Sequence, residues 1–336
     1  NSRYGDYPKK DGIHEYILNG GDPFEVFIDR CRQHGIAPFI SLRMNDGHHL
    51  ERIDRPDYYM GAHAISKFYV QHPEYRLGGQ SQGWDSRVQN WAIKEVRDHK
   101  FAFIEEICRK YDIDGFEMDF MRHHTLFRVD QTTSSQRRNI MAGFVKRVRK
   151  ILDETSKAGR HRWLCVRIPA YISMHDKLGI DLKRLTEAGV DMINASATYF
   201  TVNMTDLPEI VSNAADASVY LEMCHTTMRG KRVAEGYDAV TYKRTTKPQY
   251  YTAAHLAYSR GAKGVSAFNF VYYREHGKGD RGPFNEPPFE VFKHLGDPEW
   301  LARQPQHYIL TKAFETPNMP AIIKPGQKTL LKLDMA

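Results

Sequence analysis

Six short apolar runs recur along the chain, and each follows a stretch with helical periodicity. The runs span residues 36–46, 114–120, 163–170, 190–200, 219–226 and 262–273. The helical stretches before them are 22–35, 93–111, 137–155, 182–189, 206–217 and 248–261. The first of these shows why a helix is expected. Asp22 can cap it, Pro23 suits its first turn, and Gly35 ends it. Regular alternation of helix and buried strand predicts a parallel sheet covered by helices. No GxGxxG turn opens any of the helices, which argues against a dinucleotide-binding fold. The polar residues gather instead at the C-terminal ends of all six strands. That distribution is characteristic of a (β/α)8 TIM barrel, whose reacting groups sit on that rim. Closure needs eight strands, so two are unaccounted for.

The strand within YDIDGFEMDFMRHH, 111–124, carries two carboxylates in its middle. Side chains alternate faces along a strand. Phe116, Met118 and Phe120 therefore share one face, and Glu117 and Asp119 share the other. The apolar face must meet the helices, which turns the carboxylates inward. A buried charge is costly without a partner, so cations or water are expected beside them. Arg122 and His123, just past the strand, can supply part of that compensation.

The same parity applied to VYLEMCHT puts Leu221 and Met223 outward and Glu222 inward with Tyr220. On ISLRMND it puts Leu42 and Met44 outward and Arg43 and Asn45 inward. Arg167, Asn194 and Asn269 join the same inward set. The expectation is a polar pit lined by Arg43, Asn45, Glu117, Asp119, Arg167, Asn194, Glu222 and Asn269. Inward carboxylates from different strands suit the general acid and the nucleophile or base of glycosidic cleavage. The competing reading makes Glu117–Arg43 and Asp119–Arg167 buried ion pairs. His225, Trp84, Tyr199 and Tyr272 are further candidates for sugar contact, the aromatics by stacking on C–H faces.

NDGHHLE, 45–51, contains residue types that bind metal, but neighbours in sequence cannot all converge on one ion. A loop touching substrate is the better reading, and neither a metal nor a cofactor is expected. The chain has a net charge of +7, spread along its length, with 16 further histidines. Either a solvated basic surface or an anionic partner such as an acidic glycan explains it. No zinc-finger, RNP or basic-helix pattern supports nucleic acid. Four widely spaced cysteines form no CxxC and read as buried thiols. No run approaches the ~18 apolar residues of a membrane span. Residue 1 is Asn and no signal peptide is visible, so a processed or longer parent chain is expected.

VRDHKFAFIEEICRKYDIDGFEMDFMRH, PFISLRMND and GVDMINAS together resemble the glycoside hydrolase family 10-like proteins. The resemblance covers roughly residues 8–312 and is most specific around Asp119. It implies a (β/α)8 barrel in a group that is mostly bacterial and often secreted, hence an extracellular or periplasmic location. It makes the six strands numbers three to eight, with strands one and two upstream of Asn1. It further implies an acid/base at the end of strand four and a nucleophile at the end of strand seven, positions held by Asp119 and Glu222. This chain has Met118-Asp119 where the wider clan has Asn-Glu. The function implied is a retaining glycoside hydrolase acting on a polysaccharide or oligosaccharide, an acidic one given the charge. A glycan-binding barrel without catalysis and a polysaccharide lyase stay open beside it. Residues 1–312 would form the barrel. Residues 313–336 alternate apolar and polar around a Pro-Gly turn and read as a linker and the first strands of an accessory β-sandwich.

Overall fold

The structure is a computed structural model that describes residues 3, 13–47, 65–78, 86–229, 242–271, 286–311, 324–331, 333, 335 and 336. His48, His49, Trp84, Tyr272 and most of the linker lie outside the described residues. All six expected strands are present, each preceded by its helix. The main sheet runs in chain order, ending with the strand 264–268. This is the α/β architecture expected of a TIM barrel short of two strands. A small antiparallel pair accompanies it.

The chain divides into two compact units, Asn1–Arg167 with Met174–Asp191, and Ile168–Ser173 with Met192–Ala336. The first unit begins with α1 (His14–Leu18) and α2 (Pro23–Gln33). Asp22 caps α2 by accepting the Phe24 N–H, and Gly35 follows with φ +66°. Strand β1 (Phe39–Arg43) comes next. The long excursion after it holds a short helix α3 (Lys67–Gln71), then α4 (Lys94–Lys110) leads into β2 (Gly115–Asp119). Helix α5 (Ser134–Glu154) opens on a capping box between Thr133 and Gln136 and feeds β3 (Trp163–Pro169), whose last two residues belong to the second unit. Helix α6 (Leu182–Glu187) closes the first unit.

The second unit carries β4 (Met192–Ser196), α7 (Leu207–Asn213) and β5 (Ser218–Cys224). A hairpin that the sequence did not suggest follows, β6 (Thr226–Arg229) with β7 (Tyr242–Arg244). Helix α8 (Lys247–Ser259), with its own capping box at Thr246 and Gln249, precedes β8 (Gly264–Phe268). A short helix α9 (Pro298–Ala302) follows later in this unit. In the tail, residues 324–331 contain a turn at Pro325–Gly326.

Register turns parity into geometry. In the first unit Arg43, Asp119 and Arg167 form one cross-strand row, and Ser41, Glu117 and Cys165 form the row beneath. Below these, Phe39 lies opposite Gly115, and a Cβ on that glycine would sit 2.1 Å from the Phe39 ring. The second unit repeats this arrangement, with Tyr220 opposite Gly264 and a Cβ there 2.5 Å from the Tyr220 ring. One row above, Glu222 is opposite Ser266.

The other face of each sheet is apolar. Phe116, Met118 and Phe120 are fully buried. Trp91 meets Phe120 and Phe144 of α5 edge-on, with centroids 6.3 and 5.0 Å away. In the second unit Met223 packs with Tyr250, Ala253 and Ala254 of α8 and with Val291, Leu295 and Leu301. Each large side chain buried this way contributes about 1.5–3 kcal/mol. Burying this face turns the carboxylates of β2 and β5 onto the opposite one.

Candidate active site

Asp119 ends β2 and is 4% exposed. Its Oδ1 accepts a hydrogen bond from Arg167 Nη1 at 2.8 Å and another from the Met121 N–H at 2.8 Å. Both donors converge on one oxygen, and Oδ2 receives none among the described residues. The Asp119–Arg167 ion pair is buried on both sides, as one of the two sequence readings held. The companion pair is not formed. Arg43 is half exposed and donates to Asp46 at 2.9 Å, three residues along. Glu117 instead accepts from the Ser41 hydroxyl at 2.7 Å and lies 3.6 Å from the Cys165 thiol. The acid closest in sequence takes the guanidinium, because a three-residue separation needs little ordering of the chain.

Asn45 departs from its expected role as a substrate ligand. Its Nδ2 donates to the Gln89 and Thr125 carbonyls at 2.9 and 3.3 Å, and its Oδ1 accepts the Gln89 N–H at 3.1 Å. It is 3% exposed and staples the end of β1 to two returning segments. His123 is buried, with Nε2 3.9 Å from Asp46 Oδ1, while Arg122 is half-buried. Lys100 of α4 reaches the Arg43 carbonyl at 3.5 Å. Burial pushes its ammonium pKa down, against the pull of Asp46.

Glu222 lies near the end of β5 and is also 4% exposed. Ser196 Oγ donates to its Oε1 at 2.6 Å, and Asn194 Nδ2 donates to its Oε2 at 3.4 Å. Asn194 is itself oriented by the Ser266 hydroxyl, which donates to its Oδ1 at 2.7 Å. The Tyr220 ring lies over Gly264. Ser196 and Ser266 were not singled out in the sequence. A serine in a buried strand reads as a small filler, and only its register with a glutamate marks it.

His225 is buried, with Nδ1 3.2 Å from Cys224 Sγ, so it does not face solvent. Tyr199 is half-buried with its ring tilted 6.1 Å from that of Phe268. Asn269 follows β8 with φ +51°, a left-handed position that asparagine tolerates better than most residues. Among the described residues no group of three or more metal-binding side chains occurs. No helix there is long and apolar enough to cross a membrane.

Fold and site together define a class: a parallel α/β protein that carries a supported, buried carboxylate near the C-terminal end of a strand in each unit. No model of a known protein family matches the chain. No curated protein matches it in sequence. Among solved structures, it is similar to α-L-fucosidase isoenzyme 2 from Paenibacillus thiaminolyticus, with 13% identity and a TM-score of 0.48. That similarity covers 81% of this chain and 38% of the fucosidase, so the chain spans well under half of that protein. It is also similar to catalytic domain 2 of a Group II chitinase from Ostrinia furnacalis, with 12% identity, a TM-score of 0.48, and 88% and 86% of the two chains covered. A chitinase from Rhizomucor miehei gives 12% identity and a TM-score of 0.41 over 73% and 80% of the chains.

Proposed function

We propose that the chain is a retaining glycoside hydrolase acting on a polysaccharide or oligosaccharide that bears anionic groups. The observation that carries this reading is the support around Glu222. A buried glutamate with a donor on each oxygen is held in one orientation, and the donors stabilise the anion. An attacking carboxylate needs both.

In this mechanism Glu222 attacks the anomeric carbon as the glycosidic bond breaks, and a proton passes from Asp119 to the leaving oxygen. Asp119 then takes a proton from water, which attacks the glycosyl ester and frees Glu222. Arg167 and the Met121 N–H hold Oδ1 of Asp119, which leaves Oδ2 for the proton. The half-exposed Arg43, the Asp119–Arg167 row and the +7 net charge favour carboxylate- or sulfate-bearing sugars. A polymer of that kind is met outside the cytoplasm, which makes the protein extracellular or periplasmic.

Reducing-end release from a panel of neutral and acidic polysaccharides tests the activity. Glu222→Gln should abolish turnover, and azide should rescue Glu222→Ala as a glycosyl azide of inverted configuration. A liganded crystal structure should show the two carboxyls ~5–5.5 Å apart, since an inverting pair needs ~6.5–9.5 Å. KM for an acidic substrate should rise with salt, because exposed charges are screened beyond ~10 Å at 0.1 M. Unsaturated products would make it a lyase. A second reading, a glycan-binding protein without catalysis, is favoured by the buried Asp119–Arg167 pair, which gives Asp119 a structural purpose. Binding without any bond cleavage would select it.

A further inference from the structure

Thr198 stands two residues beyond Ser196 with φ +60°. A β-branched residue rarely adopts this left-handed conformation, because its side chain crowds the backbone. Such strain persists only where the surroundings enforce it. Here they do. The Thr201 N–H donates to the Thr226 carbonyl at 2.7 Å. The Thr201 hydroxyl donates to the Cys224 carbonyl at 2.7 Å and accepts the Cys224 N–H at 2.9 Å. The Thr226 hydroxyl donates to the Tyr199 carbonyl. The turn after β4 is thus tied to the chain just past Glu222.

The consequence falls on Ser196. The Thr198 N–H donates to Ser196 Oγ at 2.9 Å, while the same oxygen donates to Glu222 Oε1 at 2.6 Å. Ser196 is fully buried. With an N–H aimed at its lone pair, its hydrogen is left to point at the carboxylate. We infer that Thr198 is a positioning residue, whose strained backbone commits the Ser196 hydroxyl to donate to Glu222. The kinetic part of this inference rests on Glu222 acting as the nucleophile. The chain from Thr198 through Ser196 to Glu222 does not.

Threonine suits the task better than glycine. Once forced to positive φ it has a narrow well, whereas glycine visits both signs of φ freely and would let the N–H wander. The test therefore compares variants by two readouts. The first is the titration of the Glu222 carboxyl, followed by NMR in protein labelled with 13C at glutamate side chains and assigned with Glu222→Gln. The second is the pH profile of kcat and KM on the best substrate of the panel. Ser196→Ala should move the Glu222 midpoint upward by about one pH unit, the scale of one lost hydrogen bond to a carboxylate. Thr198→Gly should melt no lower than wild type, yet move the midpoint part of the same way and lower kcat several-fold with KM within about twofold. Thr198→Asn, which tolerates positive φ without glycine's freedom, should bring the midpoint back toward the wild-type value.

An unmoved midpoint in Ser196→Ala overturns the inference. So does a Thr198→Gly protein that matches wild type in both titration and kcat. If Ser196→Ala does not fold, the contrast between Thr198→Gly and Thr198→Asn decides. A wild-type protein without hydrolase activity but with these titration shifts would remove the proposed function and leave the positioning role standing.

Discussion

Replacing Arg167 by Met leaves the Asp119 carboxylate buried without its guanidinium. The two side chains are 3% and 6% exposed, and the contact is 2.8 Å, so water cannot take over the role of the arginine without rearrangement. Removing one partner of a buried pair costs about 3–5 kcal/mol. The Met121 N–H still reaches Oδ1, which argues for the lower end, about 3 kcal/mol. For a unit of this size that corresponds to a loss of roughly 6–12 °C in melting temperature. Asp119→Leu combined with Arg167→Met removes both charges and should recover most of the loss, because a buried pair exchanged for apolar groups is often neutral. Urea unfolding followed by tryptophan fluorescence reads this directly, since Trp91 packs on Phe120, the neighbour of Asp119. A loss below about 1 kcal/mol in Arg167→Met, the worth of an exposed pair, would refute the burial argument. So would a double variant no more stable than the single one. The double variant also separates the two purposes of Asp119: it should be folded and inactive, and retained activity would remove Asp119 from the chemistry.

Asp22 is raised by burial but lowered further by hydrogen bonds from Lys110, Tyr111 and the Phe24 N–H, and ends below the usual carboxylate range. Its folded value is then below its unfolded one, so its contribution is complete above about pH 4 and fades as pH falls through the folded value. Asp22→Ala should cost about 1 kcal/mol at pH 7 through the lost cap of α2, and its urea midpoint should fall less steeply below about pH 4 than that of wild type. Burial pushes the Cys108 thiol up to about 12, and Cys165 and Cys224 are buried as well. Native thiol titration at pH 8 should therefore find one fast-reacting cysteine, Cys31, and all four in denaturant. Gly264→Ala should cost about 1–3 kcal/mol in urea unfolding by overpacking against Tyr220. Adding Tyr220→Ala to it should remove that steric part.

Much of the scaffold is legible because its signals are local. Asp22-Pro23 and Gly35 bracket α2, and the alternation Phe116-Glu117-Met118-Asp119 assigns both faces of β2. The same parity finds Asp119 with Arg167 and Glu222 with Asn194. Parity names the face of a strand but not what returns over it, and there the reading fails. Asn45 has the expected position, yet its amide is consumed by the carbonyls of Gln89 and Thr125, far along the chain. The competing reading paired Arg43 with Glu117, whereas Arg43 pairs with Asp46, three residues on and visible in the sequence. The hairpin strands Thr226–Arg229 and Tyr242–Arg244 are too short and polar to show periodicity. Ser196 and Thr198 in NASAT carry no signal in themselves, because the bonds that hold this turn come from residues 224 and 226, far along the chain.

The pairing of a ring with a glycine on the next strand acts as a keyed joint. Phe39 fits the notch left by Gly115, and Tyr220 the notch left by Gly264. A slip of one residue would press either ring against a Cβ and turn every polar side chain of that strand toward the helices. The joint involves no charge, so neither acid nor salt loosens it. Each unit thus adds to its hydrogen-bonded ladder a steric key to register, one or two rows below its carboxylate. The ring-in-notch contact itself does not depend on the charge of the carboxylate above it.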